Sequence, residues 1–80
     1  SAAATAAASY SQSLELAKAQ VDATNLQYEK DLQILQNKKN IAKTDQERVA
    51  IQSKITTLTS KNQKDNIKLG SEIAKILIDV

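Results

Sequence analysis

Eighty residues with no proline and a single glycine, Gly70, lack the usual devices for ending secondary structure and reversing the chain. Cysteine, histidine, methionine, tryptophan and phenylalanine are absent too, which removes most of what a compact core or a strand-and-turn fold would use. Helix is therefore expected throughout. The apolar content comes largely from Ala, Ile and Leu, and Tyr10 and Tyr28 are the only aromatics, so a lone copy would close over a thin seam of modest stability. Without cysteine there are no disulfides or thiolate metal sites, although the compartment stays open, since many secreted helical proteins also lack it.

The apolar spacing agrees with helix. Tyr10, Leu14, Ala17 and Val21 follow one another at 4, 3 and 4, and Tyr28, Leu32 and Leu35 resume that rhythm after a four-residue stutter over residues 21–25. Leu16, Leu26, Ile34 and Ile41 lie off this seam, an apolar surface wider than one neighbour needs. Residues 1–9, SAAATAAAS, read either as a plain extension or as a packed helical segment whose small side chains admit a close backbone; the packed segment is preferred.

The best break lies at residues 40–44. Thr44, Asp45, Gln46 and Glu47 form a capping-box sequence, in which the Thr44 hydroxyl accepts from the Glu47 amide and the Glu47 carboxylate returns to the Thr44 amide. Asn40 would supply a left-handed residue ending the helix before it, with Lys38 and Lys39 on its negative end. A hairpin of two arms, residues 1–43 and 44–80, is expected in preference to one uninterrupted helix of about 120 Å. The second seam runs Ile51, Ile55, Leu58, Asn62, Asp65, Leu69, Ile73, Ile76, Val80. Its middle is polar, so residues 60–68 are expected to be hydrated, frayed or facing a water-filled space, and Gly70 to mark a kink or a close backbone approach.

From residue 73 onward only Lys75 and Asp79 interrupt Ile73, Ala74, Ile76, Leu77, Ile78 and Val80, which leaves a helix almost no face for water. The chain is too short to wrap that surface, so other copies of itself are the expected cover. The fold class that follows is all-α, a helical hairpin that self-assembles into homo-oligomers of many copies.

The charge is distributed rather than large. Net charge is +2; residues 1–37 carry Lys18 and Lys30 against Glu15, Asp22, Glu29 and Asp31, a balance of −2. Residues 38–68 carry Lys38, Lys39, Lys43, Arg48, Lys54, Lys61, Lys64 and Lys68 against Asp45, Glu47 and Asp65, a balance of +5. Arms of opposite sign attract, each exposed pair contributing about 0–1 kcal/mol. No basic run is interleaved with aromatics as a nucleic-acid groove requires, and no stretch reaches the roughly 18 apolar residues of a membrane span. A catalytic role has little to stand on: there is no Gly-rich phosphate loop and no paired carboxylates, and Tyr10 and Tyr28 read as core. No enzyme and no cofactor is expected.

Gln52-Ser53-Lys54-Ile55, then a polar helix, then Asn66-Ile67-Lys68-Leu69 and Glu72-Ile73 before an apolar terminus resemble the C-terminal half of type III secretion needle and pilus subunits, over about residues 45–80. The chain lacks the Asn-Pro type turn of many animal-pathogen needles and has Gly70-Ser71 where they often carry an apolar-basic pair, so the Hrp pili of plant-associated bacteria are the closer comparison. The resemblance implies a secreted, cell-surface, hollow filament that conducts effector proteins. Under it Ile67, Leu69, Ile73, Ile76, Leu77, Ile78 and Val80 pack between subunits, Tyr10 and Leu14 pack inward from an outer layer, and Gln52, Asn62, Gln63, Asn66 and Lys68 are lumen candidates. Two other readings stand beside it: a coiled-coil or helical-bundle interaction module, such as a fragment of a secretion translocator or tail protein, and a membrane-active helix anchored by residues 73–80.

Overall fold

The computed structural model describes residues 2–79, which form two antiparallel helices, α1 (Ala2–Ile41) and α2 (Asp45–Ile78), and no strand among the described residues. The expected all-α hairpin is thus the fold. It is a slender body of 66 × 17 × 8 Å, its length set by α1, since 40 helical residues rise about 60 Å.

The reversal is made by capping rather than by glycine. Thr44 has extended backbone angles, φ −126° and ψ 154°, and its hydroxyl accepts from the Glu47 amide at 3.1 Å. The Glu47 carboxylate returns one residue earlier than the expected Thr44 amide, accepting from the Lys43 amide at 3.1 Å. Arg48 ties the connection down, donating to the Ala42 carbonyl at 2.9 Å and pairing with Asp45. Asn40 does not end α1 in a left-handed conformation: the helix runs on to Ile41, no residue described has positive φ, and the Ala42 amide tightens the last turn onto the Lys39 carbonyl at 3.3 Å. No αL residue is needed because the Ala42 amide takes the Lys39 carbonyl and the Arg48 guanidinium takes that of Ala42. Lys38 and Lys39 sit in the last turn of α1, and Asp45 and Glu47 in the first turn of α2, each matched to its helix dipole.

Three cross-helix contacts give the register: Asn25 meets Asn66, Tyr28 meets Thr59 and Lys39 meets Gln52, so position i of α1 stands level with about position 90 − i of α2. By that rule the end of α2 lies beside residues near 12, and α1 extends beyond it as a single Ala- and Ser-rich helix. Ala7, Ala8 and Ser9 are exposed there. Packing of the side chains of residues 1–6 lies outside the described residues.

Gly70 lies inside a continuous helical stretch, exposed, and a Cβ placed on it would meet nothing within 4 Å. The close approach expected there is not made within the hairpin. Gly70→Ala should accordingly stabilise the isolated hairpin by about 0.5–1 kcal/mol, read as a raised denaturant midpoint. Thr44→Ala should cost about 1 kcal/mol in the same measurement, because it leaves an amide of the first turn without its acceptor.

Candidate functional site

The seam is apolar at both ends and polar in the middle. Tyr10, Leu14, Ala17 and Val21 of α1, and Leu69, Ile73 and Ile76 of α2, are buried or half-buried toward the open end, as are Leu32, Leu35, Ile51, Ile55 and Leu58 toward the turn. Between them the stutter of α1 and the polar stretch of α2 come to the same level and satisfy one another. Asn25 donates to the Asn66 carboxamide oxygen at 3.2 Å and Asn66 returns the bond at 2.9 Å, while the same Asn66 amide reaches the Asn62 backbone carbonyl at 2.8 Å. The Tyr28 and Thr59 hydroxyls share a bond of 3.0 Å. The Asn62 carboxamide oxygen alone is buried without a partner among the described residues. Residues 60–68 are therefore ordinary helix, and their polarity is turned partly inward to meet the polar part of α1.

Of the residues named as lumen candidates, Asn62 and Asn66 belong to this seam, whereas Gln52, Gln63 and Lys68 are exposed. Gln52 and Gln63 share one long groove with Ile55, Thr56, Thr59 and Ser60; Lys68 lies in a different one with Gln20, Thr24, Asp65, Leu69 and Glu72. The residues named for assembly divide likewise. Leu69 is 7% exposed and committed to the hairpin, and Tyr10, Leu14, Ile73 and Ile76 are half-buried in the seam. Ile67, Leu77 and Ile78 stand outside, 73%, 53% and 80% exposed. Val80 lies outside the described residues. Leu16, Leu26, Ile34, Ile41 and Val49 are also more than half exposed, so the off-seam apolar positions of α1 remain uncovered by α2.

No group of three or more acidic, His or Cys side chains is placed to hold a metal among the described residues, and no helix there is long and apolar enough to cross a membrane. The described residues present exposed aliphatic side chains on the outer sides of both helices, an uncharged groove, and an inner amide pair. Sequence spacing located the seam, but it missed Asn25 as the partner of Asn66. Their comparable distances from the turn, 19 residues before Thr44 and 22 after it, were the available signal.

The amide pair yields a test of what the polar middle does. Asn25→Leu should cost about 1–2 kcal/mol in urea unfolding, because the Asn66 carboxamide loses its reciprocal partner in a partly buried site. The double variant Asn25→Leu, Asn66→Leu should regain that stability or exceed it, yet cross-linking of cysteine pairs placed along the two helices should then report more than one register.

Comparison with protein-family models, curated protein sequences and solved structures finds no match for this chain.

Proposed function

We propose that the chain is a structural subunit that assembles with many copies of itself into a helical filament, hollow in the manner of a type III secretion needle or pilus, and that secreted proteins pass along it. The supporting observation is an excess of surface. The hairpin exposes 6160 Å² at a mass of 8.7 kDa, where a compact protein of that mass exposes about 4700 Å². The surplus, roughly 1400 Å², is close to what one subunit contributes to two interfaces of standard size, about 800 Å² each. Two separate interfaces per subunit are what an open repeating assembly needs. Among the described residues eight large aliphatic side chains are each more than half exposed.

The finer reading rests on the likeness of residues 45–80 to the needle and pilus subunits. It gains support from the uncharged groove in which Gln52, Thr56, Thr59, Ser60 and Gln63 supply amides and hydroxyls around the half-buried Ile55. A wall of that kind would hold an unfolded chain weakly, whereas an apolar wall would trap it.

Electron microscopy and sedimentation of the purified chain test this directly, with long filaments expected. Ile78→Asp or Leu77→Lys should abolish pelleting while leaving the circular dichroism of the hairpin intact, since both side chains are outside the seam. Filaments undiminished by either substitution would remove the C-terminal stretch from the contact. Discrete dimers or trimers of the parent would favour the helical-bundle module instead.

A further inference from the structure

Two rows of charge run along the hairpin at heptad spacing. Glu15, Asp22 and Glu29 form one on α1, and Lys54, Lys61, Lys68 and Lys75 form the other on α2, all seven exposed. Successive members are about 10.5 Å apart, seven residues at 1.5 Å. Among the described residues none of the seven has an ion-pair partner, and the single ion pair is that of Arg48 with Asp45.

The rows lie on opposite broad faces. Lys61 and Lys68 border grooves whose other wall is formed by Gln20, Thr24, Gln27 and Asp31 of α1. Asp22 and Glu29 follow Gln20 and Gln27 by two residues, which carries them roughly 160° around the helix, away from that side. The register then aligns the two faces along the long axis. Because position i stands level with about 90 − i, Glu15 is level with Lys75, Asp22 with Lys68 and Glu29 with Lys61. Each face also holds an exception that matches the other. Lys18 lies among the acids of α1, Glu72 lies among the lysines of α2, and these two are level with each other.

We infer that these rows are the two halves of one contact between copies: the acidic face of α1 in one hairpin receives the lysine face of α2 in the next. Stacked with parallel axes and displaced sideways by one helix spacing, about 8–10 Å, the second copy lies with its α2 over the first copy's α1. No axial shift is needed. Glu15, Lys18, Asp22 and Glu29 then face Lys75, Glu72, Lys68 and Lys61 of the neighbour, a sign match at four levels, while Asp65, which lines the same grooves as Lys61 and Lys68, falls level with the uncharged Asn25. Each hairpin presents both halves on different faces, so the contact is heterologous and propagates rather than closing as a two-fold dimer. It supplies the alignment of the self-assembly proposed above, on which it rests, while the exposed aliphatic side chains supply much of the buried area.

Charge exchange tests it. Chain one carries Glu15→Lys, Asp22→Lys and Glu29→Lys, and has basic rows on both faces; chain two carries Lys61→Glu, Lys68→Glu and Lys75→Glu, and has acidic rows on both. Circular dichroism should find each as helical as the parent, because all six positions are exposed. Alone, neither should pellet at concentrations where the parent does. An equimolar mixture should restore pelleting, with both chains in the pellet, and the parent's critical concentration should rise about tenfold or more between 0.05 and 0.5 M salt as the Debye length contracts. Parent-like pelleting by either chain alone, or a mixture that stays soluble, overturns the inference. If at the same time Ile78→Asp abolishes pelleting, the self-assembly reading stands and only the charge rows fall. A parent that stays monomeric at every salt concentration defeats both readings. Binding of that monomer to phosphatidylserine vesicles, lost in chain two, would assign the lysine row to an anionic lipid surface.

Discussion

Two helices can cover only one stripe of each other, and everything else about this chain follows from that limit. Among the described residues only Leu69 is buried, and even it is 7% exposed. The rest of the seam is half-covered at best, because a two-helix body has no third layer to close over it. Stability of the isolated hairpin therefore depends on a few local devices: the Thr44 cap, the Arg48 bonds across the connection, and the amide pair between Asn25 and Asn66. None of these is large, and none protects the aliphatic side chains on the backs of the helices.

Placing polar groups in so thin a seam costs stability, and the cost has a physical return. An all-apolar pair of helices with a 4, 3 repeat can slide by a heptad and bury nearly the same area. A reciprocal carboxamide pair cannot slide, since each amide would then be left half-buried without its partner. Tyr28 with Thr59 adds a second polar bond between the helices, nearer the turn. The partnerless oxygen of Asn62 shows that the polar middle is not wholly satisfied by the hairpin itself.

Much of the fold was legible in the residues. The seam positions of both arms, from Tyr10 to Leu35 and from Ile51 to Ile76, follow from 4, 3 spacing, and the cap follows from Thr44 and Glu47 three residues apart. Two details of the turn were not, because Asn40 is statistically suited to ending a helix while the actual ending depends on where Arg48 and Glu47 reach through space. The polar middle was harder still. Asn66 read as a water-facing residue because, within one helix, an Asn on a seam looks like an interruption; only folding about the cap brings Asn25 opposite and turns two interruptions into one pair. The outer surface could be expected from Leu16, Leu26, Ile34 and Ile41, but its partner carries no signature in a single helix.

The reciprocal amide bonds between Asn25 and Asn66 reach further than the hairpin that contains them. They fix how far α2 is slid along α1, and hence the axial height of every side chain on one broad face relative to the other. A slip of a single helical turn would displace the two faces by about 5.4 Å, barely visible in the circular dichroism of one molecule. In a body that repeats, the same slip would recur at each step and accumulate along the stack. Two side-chain carboxamides thus act as the gauge block of the molecule, setting a dimension whose tolerance matters more to the neighbour than to the chain itself.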